Sequence, residues 1–250
     1  MVSLKNEGES MDNRIQGVCV DIDNIETKKF FNDRAKKNIK YLYNRCLYQD
    51  NNPELALLRD EEEKTKILPL LDIHQNDKVL DIGCGVGRWG EEVLKAGACY
   101  CGVDYSEDIL KIAENYLSGR GDFKLICSSF QDASKNIDLA RFNKVIISGC
   151  LMYINDTELQ YSIEKLQKLL PKPARLYLRE TIAIIERLTL SNFYSEELQT
   201  NYNAIYRTTE EYVRLLQPYF RIQQQGPLYE SSLNNRNETL CYYFIAEKKS

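Results

Sequence analysis

A glycine-rich turn directly after a short apolar run is the feature that most restricts how this chain can fold. The run is Val79–Ile82, and glycines stand at positions 83, 85, 87 and 90. Glycine lets the backbone turn sharply and lets a ligand approach it closely. The turn leads into a predicted helix from about Arg88 to Ala96, whose free N–H groups can face a ligand. We therefore expect a binding crevice where the first strand of a sheet meets this helix.

Strand-like and helix-like segments alternate through the middle of the chain. Helices are predicted near residues 54–71, 88–96, 107–117 and 157–170. Short apolar runs predict strands at residues 78–82, 100–103, 123–127, 144–147 and 175–178. This alternation is typical of an α/β fold with a doubly wound, mostly parallel sheet. A helix at 208–216 and an antiparallel hairpin, residues 219–224 and 240–246, are expected to complete the sheet.

The patterning divides the chain into parts. Residues 1–22 mix charge, Gly and Ser, and we expect a mobile tail there. Residues 23–71 have a helical and aromatic pattern, a helix being expected from about 25 to 47, and form a predicted N-terminal helical cap. Residues 72–250 are the predicted main domain. Within it, residues 181–206 fit neither a strand nor a core helix, which suggests an insertion on the substrate side.

Composition excludes several kinds of chemistry and partner. The 250 residues include one histidine, His74, so a metal site with two or three histidines is impossible. The eight cysteines contain no Cys-x-x-Cys pair, and no metal is expected. A net charge of −4 disfavours a broad nucleic-acid surface. With neither an apolar run of ~18 residues nor a signal peptide, we expect a cytoplasmic protein without a membrane span. Oligomeric state is not indicated.

One interpretation of the glycine turn is a dinucleotide site. Gly85-x-Gly87-x-x-Gly90 matches the fingerprint of that site. Ser148, Tyr161 and Lys165 also reproduce the Ser…Tyr-x-x-x-Lys spacing of short-chain dehydrogenases. Position argues against this interpretation. Only about four predicted strands precede Tyr161, which falls on the outer face of the helix after the fourth strand.

The acid before the first glycine favours a different ligand. Asp81 ends the first strand, where it would repel a pyrophosphate but would suit a cation. Asp104 ends the next strand, where its carboxylate can accept hydrogen bonds from both hydroxyls of a ribose. S-adenosylmethionine has a sulfonium and an ammonium and no phosphate. Asp81-x-Gly83-x-Gly85-x-Gly87 closely resembles motif I of the class I methyltransferases.

This resemblance extends over roughly residues 25–250. Segment 101–106 resembles the second-strand motif, segment 128–132 the stretch that flanks adenine, and segment 147–153 the fourth-strand motif that floors the cofactor. The resemblance implies a seven-stranded Rossmann-like sheet, S-adenosylmethionine as cofactor and S-adenosylhomocysteine as product. It also implies cofactor contacts from Asp81, Gly83, Cys84, Gly85, Gly87, Asp104, Tyr105, Ser129, Phe130, Gln131, Ser148 and Tyr153.

The acceptor is constrained by the missing histidine. A neutral hydroxyl acceptor needs a base, and many relatives that methylate alcohols place a histidine near strand four or five. His74 precedes the first strand instead, which leaves an amine or an oxygen that is already anionic. Glu180 is the best candidate carboxylate, and Arg179 lies beside it at the end of strand five. Pairing of both with neighbours is the alternative interpretation.

Further candidate site residues stand at the end of the predicted insertion, residues 181–206, and directly after it. We expect Glu180, Arg179 and Tyr206 to act in catalysis, and Arg179, Tyr206 and Arg207 to bind substrate. Arg207 could alternatively pair with Glu210 or Glu211. Arginine grips phosphate and carboxylate groups with two parallel hydrogen bonds, which suits an anionic substrate.

These residues lead to a functional hypothesis. The chain is expected to transfer a methyl group to oxygen or nitrogen of a small, anionic metabolite. It loosely resembles small-molecule methyltransferases of capsule, polysaccharide, sugar-nucleotide and natural-product pathways, including those proposed to O-methylate capsular phosphoramidate. The alternative is a protein or tRNA methyltransferase. A narrow pocket closed by residues 181–206 would favour a metabolite over a peptide.

Overall fold

The computed structural model describes residues 13–249. Over this range the strands are β1 (Arg14–Gln16), β2 (Lys78–Ile82), β3 (Cys99–Asp104), β4 (Phe123–Cys127), β5 (Lys144–Ser148), β6 (Arg175–Ala183), β7 (Leu188–Ser195), β8 (Thr200–Tyr206), β9 (Phe220–Pro227) and β10 (Thr239–Lys248). The helices are α1 (Asn24–Lys36), α2 (Asn44–Leu47), α3 (Pro53–Leu71), α4 (Arg88–Lys95), α5 (Glu107–Leu117), α6 (Ala133–Asn136), α7 (Asp156–Leu169) and α8 (Thr209–Leu216).

Seven strands form the large sheet in the order β4-β3-β2-β5-β6-β10-β9. The first five run parallel, and β10 is antiparallel to both β6 and β9. The predicted α/β, doubly wound, seven-stranded sheet with its antiparallel hairpin is confirmed. The strand order reverses between β3-β2 and β5, and ligands bind at such switch points beyond the carboxyl ends of the strands.

Helices cover both faces of this sheet because its strands carry apolar residues that point alternately up and down. Leu80 and Ile82 of β2 belong to one buried cluster, which includes residues of α7 and α8. Val79 belongs to the opposite cluster, with residues of α3, α4 and α5. The helix ends follow their capping residues: Thr208 and Glu211 form a capping box at the start of α8.

The segment predicted as an insertion contains a second sheet. Residues 181–206 fit no strand cleanly in the sequence, but β6 continues to Ala183, and β7 and β8 form an antiparallel pair. Their apolar side chains, including Leu188 and Leu190, pack against Phe30 of α1 in a third cluster. Burial of these side chains supplies the driving force for the extra strands.

The predicted tail and cap also need correction. Residues 14–16 are not part of a free tail but form β1, which pairs antiparallel with β7. Further along, the Ile22 N–H donates to the Asn155 side chain at 2.8 Å. The start of the expected tail, residues 1–12, lies outside the described residues. The helix expected from 25 to 47 is divided, since α1 ends at Lys36 and α2 begins at Asn44.

None of the helices within residues 13–249 combines the length and the apolar character needed to cross a membrane.

Candidate active site

The carboxyl ends of β2, β3 and β5 surround a cavity of about 460 Å³, here called the first cavity. It lies at the strand-order reversal of the large sheet. All but one of the predicted cofactor contacts line it, and the residues concerned are Asp81, Gly83, Cys84, Gly85, Asp104, Tyr105, Ser129, Phe130, Gln131, Ser148 and Tyr153.

Gly87 is the predicted contact that does not reach the first cavity. It precedes α4 with φ of +82°, and a Cβ there would lie 2.9 Å from the Leu117 side chain. Its glycine is required by helix packing instead. Gly83, in contrast, lines the cavity at φ of +72°, and a Cβ there would lie 2.6 Å from Cys150 Sγ. Two different neighbours, Leu117 at Gly87 and Cys150 at Gly83, thus exclude a larger side chain from the turn.

Asp104 lies at the end of β3 and faces the first cavity. Its carboxylate accepts hydrogen bonds from the backbone N–H groups of Gly85 (3.1 Å) and Ser106 (2.9 Å). Removal from bulk water raises its pKa to about 6, while these backbone donors oppose the shift. The aspartate therefore ties the glycine turn to β3 and leaves acceptor capacity for a ligand.

Asp81 is more enclosed than its place in the motif suggests. It is 1% exposed, and the Tyr100 hydroxyl donates to its Oδ2 at 2.7 Å. Burial raises the pKa of Asp81 to about 7, which the Tyr100 hydrogen bond partly offsets. The carboxyl is thus part of the cavity floor, where it would meet only the closest part of a ligand.

A second cavity of about 240 Å³ adjoins the first. Both are lined by Cys46, Leu47, Tyr48, Gly149 and Tyr153. The remaining walls come from β1, β6, β7, β8, the loop between β7 and β8 and residues 234–241, with Gln49, Arg59 of α3 and Met152. The predicted substrate residues Arg179 and Tyr206 both lie here. A molecule in the second cavity therefore lies next to one in the first.

Three tyrosine hydroxyls form a chain at the junction of the cavities. The Tyr48 and Tyr153 oxygens are 2.7 Å apart, and those of Tyr153 and Tyr202 are 2.8 Å apart. Burial raises the pKa of each phenol, so all three stay neutral. Sequence reasoning missed Tyr48 and Tyr202. The only available signal was their aromatic character, which more often indicates core packing.

The backbone at Tyr48 is held in an uncommon conformation, with φ of +59°, and that of Gln49 has φ of +65°. Such values are costly for residues other than glycine. The buried Arg34 fixes this segment by donating to the Arg45 carbonyl (3.0 Å) and by pairing with Asp50 (2.6 Å). The strained segment is the part of the chain that separates α2 from α3 and lines both cavities.

Glu180 does not occupy the predicted catalytic position. It is fully buried, lines neither cavity, and accepts hydrogen bonds from the backbone N–H groups of Cys150 (2.9 Å), Leu151 (2.8 Å) and Met152 (3.2 Å). Burial raises its pKa to about 7, and the three donors oppose that shift. Its role is to fix the loop after β5. Successive residues of β6 point to opposite faces, so Glu180 points away from the second cavity while Arg179 and Thr181 line it.

The predicted substrate-binding role of Arg207 also needs correction. It is 3% exposed and lines neither cavity. Its guanidinium donates to the Leu151 (2.9 Å) and Ile154 (2.7 Å) carbonyls and pairs with Asp156 (2.7 Å). The predicted alternative partners Glu210 and Glu211 are not the ones it uses. Together, Glu180 and Arg207 hold the 150–154 loop from two sides.

A buried ionic network behind the first cavity was not expected from the sequence. Arg88, 4% exposed, pairs with Asp60 (2.8 Å) and with Glu63 (2.8 Å), and it donates to Ser148 Oγ (2.7 Å). The Tyr177 hydroxyl donates to Glu63 at 2.7 Å. The network joins α3 and α4 to β5 and β6, and Arg88 and Ser148 reach the cavity surface.

The described residues contain no cluster of three or more His, Cys, Asp or Glu side chains able to hold a metal ion. His74 is exposed and lies 3.1 Å from Asp72, in the turn before β2 and away from both cavities.

The sheet order, the glycine turn and the acidic ends of β2 and β3 together define the class I methyltransferase fold. The predicted resemblance to the class I methyltransferases is confirmed: residues 79–172 match the family described as "Methyltransferase domain".

Particular relatives are similar over parts of the chain. Phosphoethanolamine N-methyltransferase 1 of Zea mays is 25% identical over 122 residues, which cover 49% of this chain and 24% of that protein. Demethylmenaquinone methyltransferase of Tropheryma whipplei is 29% identical over 144 residues, 54% of this chain and 56% of that protein. The chain thus spans about a quarter to a half of the length of these relatives.

A solved structure shares the fold over most of the chain. It is Haemonchus contortus phosphoethanolamine N-methyltransferase 1 in complex with phosphoethanolamine and S-adenosylhomocysteine, with a TM-score of 0.70 and 18% identity. The match covers 90% of this chain and 48% of that one.

Proposed function

We propose that this protein is an S-adenosylmethionine-dependent methyltransferase whose acceptor is a small, anionic metabolite. The observation that carries the proposal is the pair of adjoining cavities. One lies where this fold binds its cofactor, and the other shares five wall residues with it.

The residues of the first cavity fit the cofactor by size and chemistry. A cavity of about 460 Å³ falls in the range of small-molecule sites. Asp104 would accept the ribose hydroxyls, and Phe130 with Gln131 would flank adenine. The glycine turn would admit the close approach of the methionine part, with Asp81 beneath it. When bound, S-adenosylmethionine supplies a methyl carbon activated by its sulfonium, and the fold holds it without a phosphate site.

The chain's own residues would then align the acceptor and exclude water. Methyl transfer is an in-line displacement, so the main contribution of the protein is positioning. Tyr48 and Tyr153 line both cavities, so their hydroxyls are placed to accept a hydrogen bond from an amine or hydroxyl acceptor. The proton of the acceptor would leave to water at this junction, because the three phenols stay neutral.

Several features support a small metabolite over a protein or tRNA. The second cavity is lined mostly by β7, β8 and residues 234–241, and its volume of about 240 Å³ is small even among ligand pockets. Relatives named for phosphoethanolamine and demethylmenaquinone point the same way. Within the metabolite class, the capsule, sugar-nucleotide or natural-product setting stays a prediction, including O-methylation of a phosphoramidate.

The experiment has two stages. Calorimetry first measures affinity for S-adenosylhomocysteine in wild type and Asp104→Ala. Incubation with S-adenosylmethionine labelled in its methyl group then screens small anionic amines and alcohols, phosphoethanolamine among them, for label transfer. We expect binding that Asp104→Ala weakens, followed by labelling of a small acceptor. Absence of S-adenosylhomocysteine binding to the wild type would refute the proposal.

A further inference from the structure

Two buried arginines line the second cavity without a carboxylate partner. Arg59 and Arg179 are each 8% exposed. Among residues 13–249 neither forms an ion pair: Arg179 contacts the Tyr229 hydroxyl (3.4 Å) and Cys241 Sγ (3.2 Å), and Arg59 donates to the Leu233 carbonyl (2.9 Å) and to Asn235 Oδ1 (2.9 Å). Buried guanidinium groups are normally paired with an acid. These two therefore carry positive charge that the described chain leaves without direct neutralisation.

Other buried arginines of the protein show the contrast. Arg34 pairs with Asp50, Arg88 with Asp60 and Glu63, and Arg187 with Asp156 and Glu211. None of these three lines the second cavity. Among the buried arginines, the absence of a carboxylate partner is thus confined to the two that line this cavity, Arg59 and Arg179, in the described part of the chain.

Individual atoms point to a ligand position. Arg179 Nε is buried without any hydrogen-bond partner. Arg179 Nη1 lies against Gly149, where a Cβ would approach it to 2.7 Å, and Gly149 lines both cavities. The guanidinium thus stands at the wall that the two cavities share. A short molecule bound to Arg179 would reach the first cavity past Gly149.

Surrounding charges reinforce this geometry. Burial, together with repulsion from Arg179 and Arg236, lowers the pKa of Arg59. Glu63 attracts Arg179 at longer range, but its oxygens are already bound to Arg88, Tyr177 and Ser148. On the cavity rim, Arg14 and Arg236 are paired with Glu238 and Glu197.

We propose that Arg179 and Arg59 form an anion-binding subsite in the second cavity that holds the phosphate or carboxylate of the acceptor molecule. Arg179 presents its guanidinium edge to the anion. Arg59, whose guanidinium lies 5.5 Å from the centre of the Tyr229 ring, supplies a second positive charge. This inference rests on the proposed function for the identity of the ligand as an acceptor, but anion binding itself is independent of it. The inference implies that only a short chain of atoms separates the anionic group of the acceptor from the atom that is methylated.

Anion binding is tested without a known substrate. Sodium phosphate and sodium acetate are titrated into the full-length protein at constant ionic strength, and binding is followed by calorimetry. The wild type is expected to bind at least one of the two anions saturably. Tighter binding of phosphate indicates a phosphorylated acceptor, and tighter binding of acetate a carboxylate. Arg179→Gln is expected to weaken that binding about ten- to a hundredfold, the value of losing hydrogen bonds between charged groups.

Three further variants complete the test. Arg214→Gln removes an exposed arginine on α8 and should leave anion affinity unchanged, which excludes a general charge effect. Arg179→Lys, which keeps the charge but loses the planar fork, should fall between wild type and Arg179→Gln. Arg59→Gln gives a second route if Arg179→Gln is unstable. Equal anion affinity in wild type, Arg179→Gln and Arg59→Gln would overturn the proposal, as would an equal loss in Arg214→Gln.

S-adenosylhomocysteine titrations separate this inference from the proposed function. Arg179 does not line the first cavity, so folded Arg179→Gln should keep wild-type affinity for S-adenosylhomocysteine. Failure of the wild type to bind S-adenosylhomocysteine would refute the methyltransferase proposal but not the anion subsite. Failure of the wild type to bind either anion would refute the anion subsite but not the methyltransferase proposal.

Discussion

Glu63 offers the sharpest test of the interactions that support the first cavity. It is fully buried and accepts from Arg88 at 2.8 and 2.9 Å, from the Tyr177 hydroxyl at 2.7 Å and from Ser148 Oγ at 3.1 Å. These partners lower the pKa of Glu63 against the effect of burial, so it is ionised in the folded protein. The substitution Glu63→Ala removes this acceptor from all of them.

The magnitude follows from what the substitution leaves behind. Arg88 keeps Asp60 but loses its second carboxylate, and the buried Tyr177 hydroxyl loses its partner. Breaking a buried ion pair by removing one partner costs about 3–5 kcal/mol of unfolding free energy. For a domain of this length, each kcal/mol lowers Tm by about 2–4 °C, so a fall of roughly 6–20 °C is expected.

The double variant Glu63→Leu, Arg88→Met should lose less than Glu63→Ala. Both charges are then absent, and apolar side chains of similar volume often replace a buried ion pair without loss. Asp60 would keep its contact with Lys64 at 2.8 Å. The difference between the two variants therefore measures the cost of leaving Arg88 without its second carboxylate, together with the cost of the cavity that alanine leaves at position 63.

Urea unfolding followed by fluorescence is the appropriate assay, because Trp89 is the only tryptophan and is 1% exposed. Lys168→Ala, which removes an exposed partner of Glu164 on α7, is the control and should leave the midpoint unchanged. The reasoning is refuted if Glu63→Ala loses less than about 1 kcal/mol, below the range for a broken buried pair. A double variant no more stable than Glu63→Ala would refute the account of Arg88.

Three further predictions concern the site. Because removal from water raises the pKa of Asp104 to about 6 and its ionised form accepts the ribose hydroxyls, affinity for S-adenosylhomocysteine should rise as pH increases through about 6; Asp104→Asn should abolish that rise in calorimetry. Gly83→Ala should reduce S-adenosylhomocysteine affinity at least tenfold, because its Cβ would lie 2.6 Å from Cys150 Sγ at a φ of +72°; unchanged affinity would contradict this geometry. Arg207→Ala should lower unfolding free energy by about 2–3 kcal/mol by leaving buried carbonyls unpaired. Its KM for the acceptor should stay unchanged in the folded enzyme, and a raised KM with normal stability would restore the predicted substrate role.

The large sheet was accessible from sequence because its strands are apolar runs bounded by polar turns. β2 and β4 begin and end at the predicted residues, 78–82 and 123–127. β7 was not found, although Leu188 and Leu190 alternate as in a strand. An irregularity between Leu190 and Phe193, with Asn192 at φ of +53°, breaks the two-residue period on which strand prediction depends.

Side-chain direction explains why most predicted cofactor residues line the first cavity, whereas the predicted site residues Glu180 and Arg207 line neither cavity. The cofactor motif fixes a backbone path, so most of its residues reach the first cavity wherever their side chains point. Arg179 and Glu180 are neighbours on one strand and must face opposite ways, but which one faces the cavity depends on how β6 sits against the loop after β5. Arg207 is drawn from the cavity by carbonyls of residues 151 and 154, contacts between segments more than 50 residues apart in sequence.

The small sheet of β1, β7 and β8 packs through its own apolar cluster, which is separate from the two clusters of the large sheet. Segments with separate cores can open locally at a lower free energy than the whole domain. We expect the amides of β7 and β8 to exchange with solvent deuterium faster than those of β2 and β5. Acceptor entry and product departure would then be timed by the local stability of this small sheet, while the cofactor stays held by the ends of the large one.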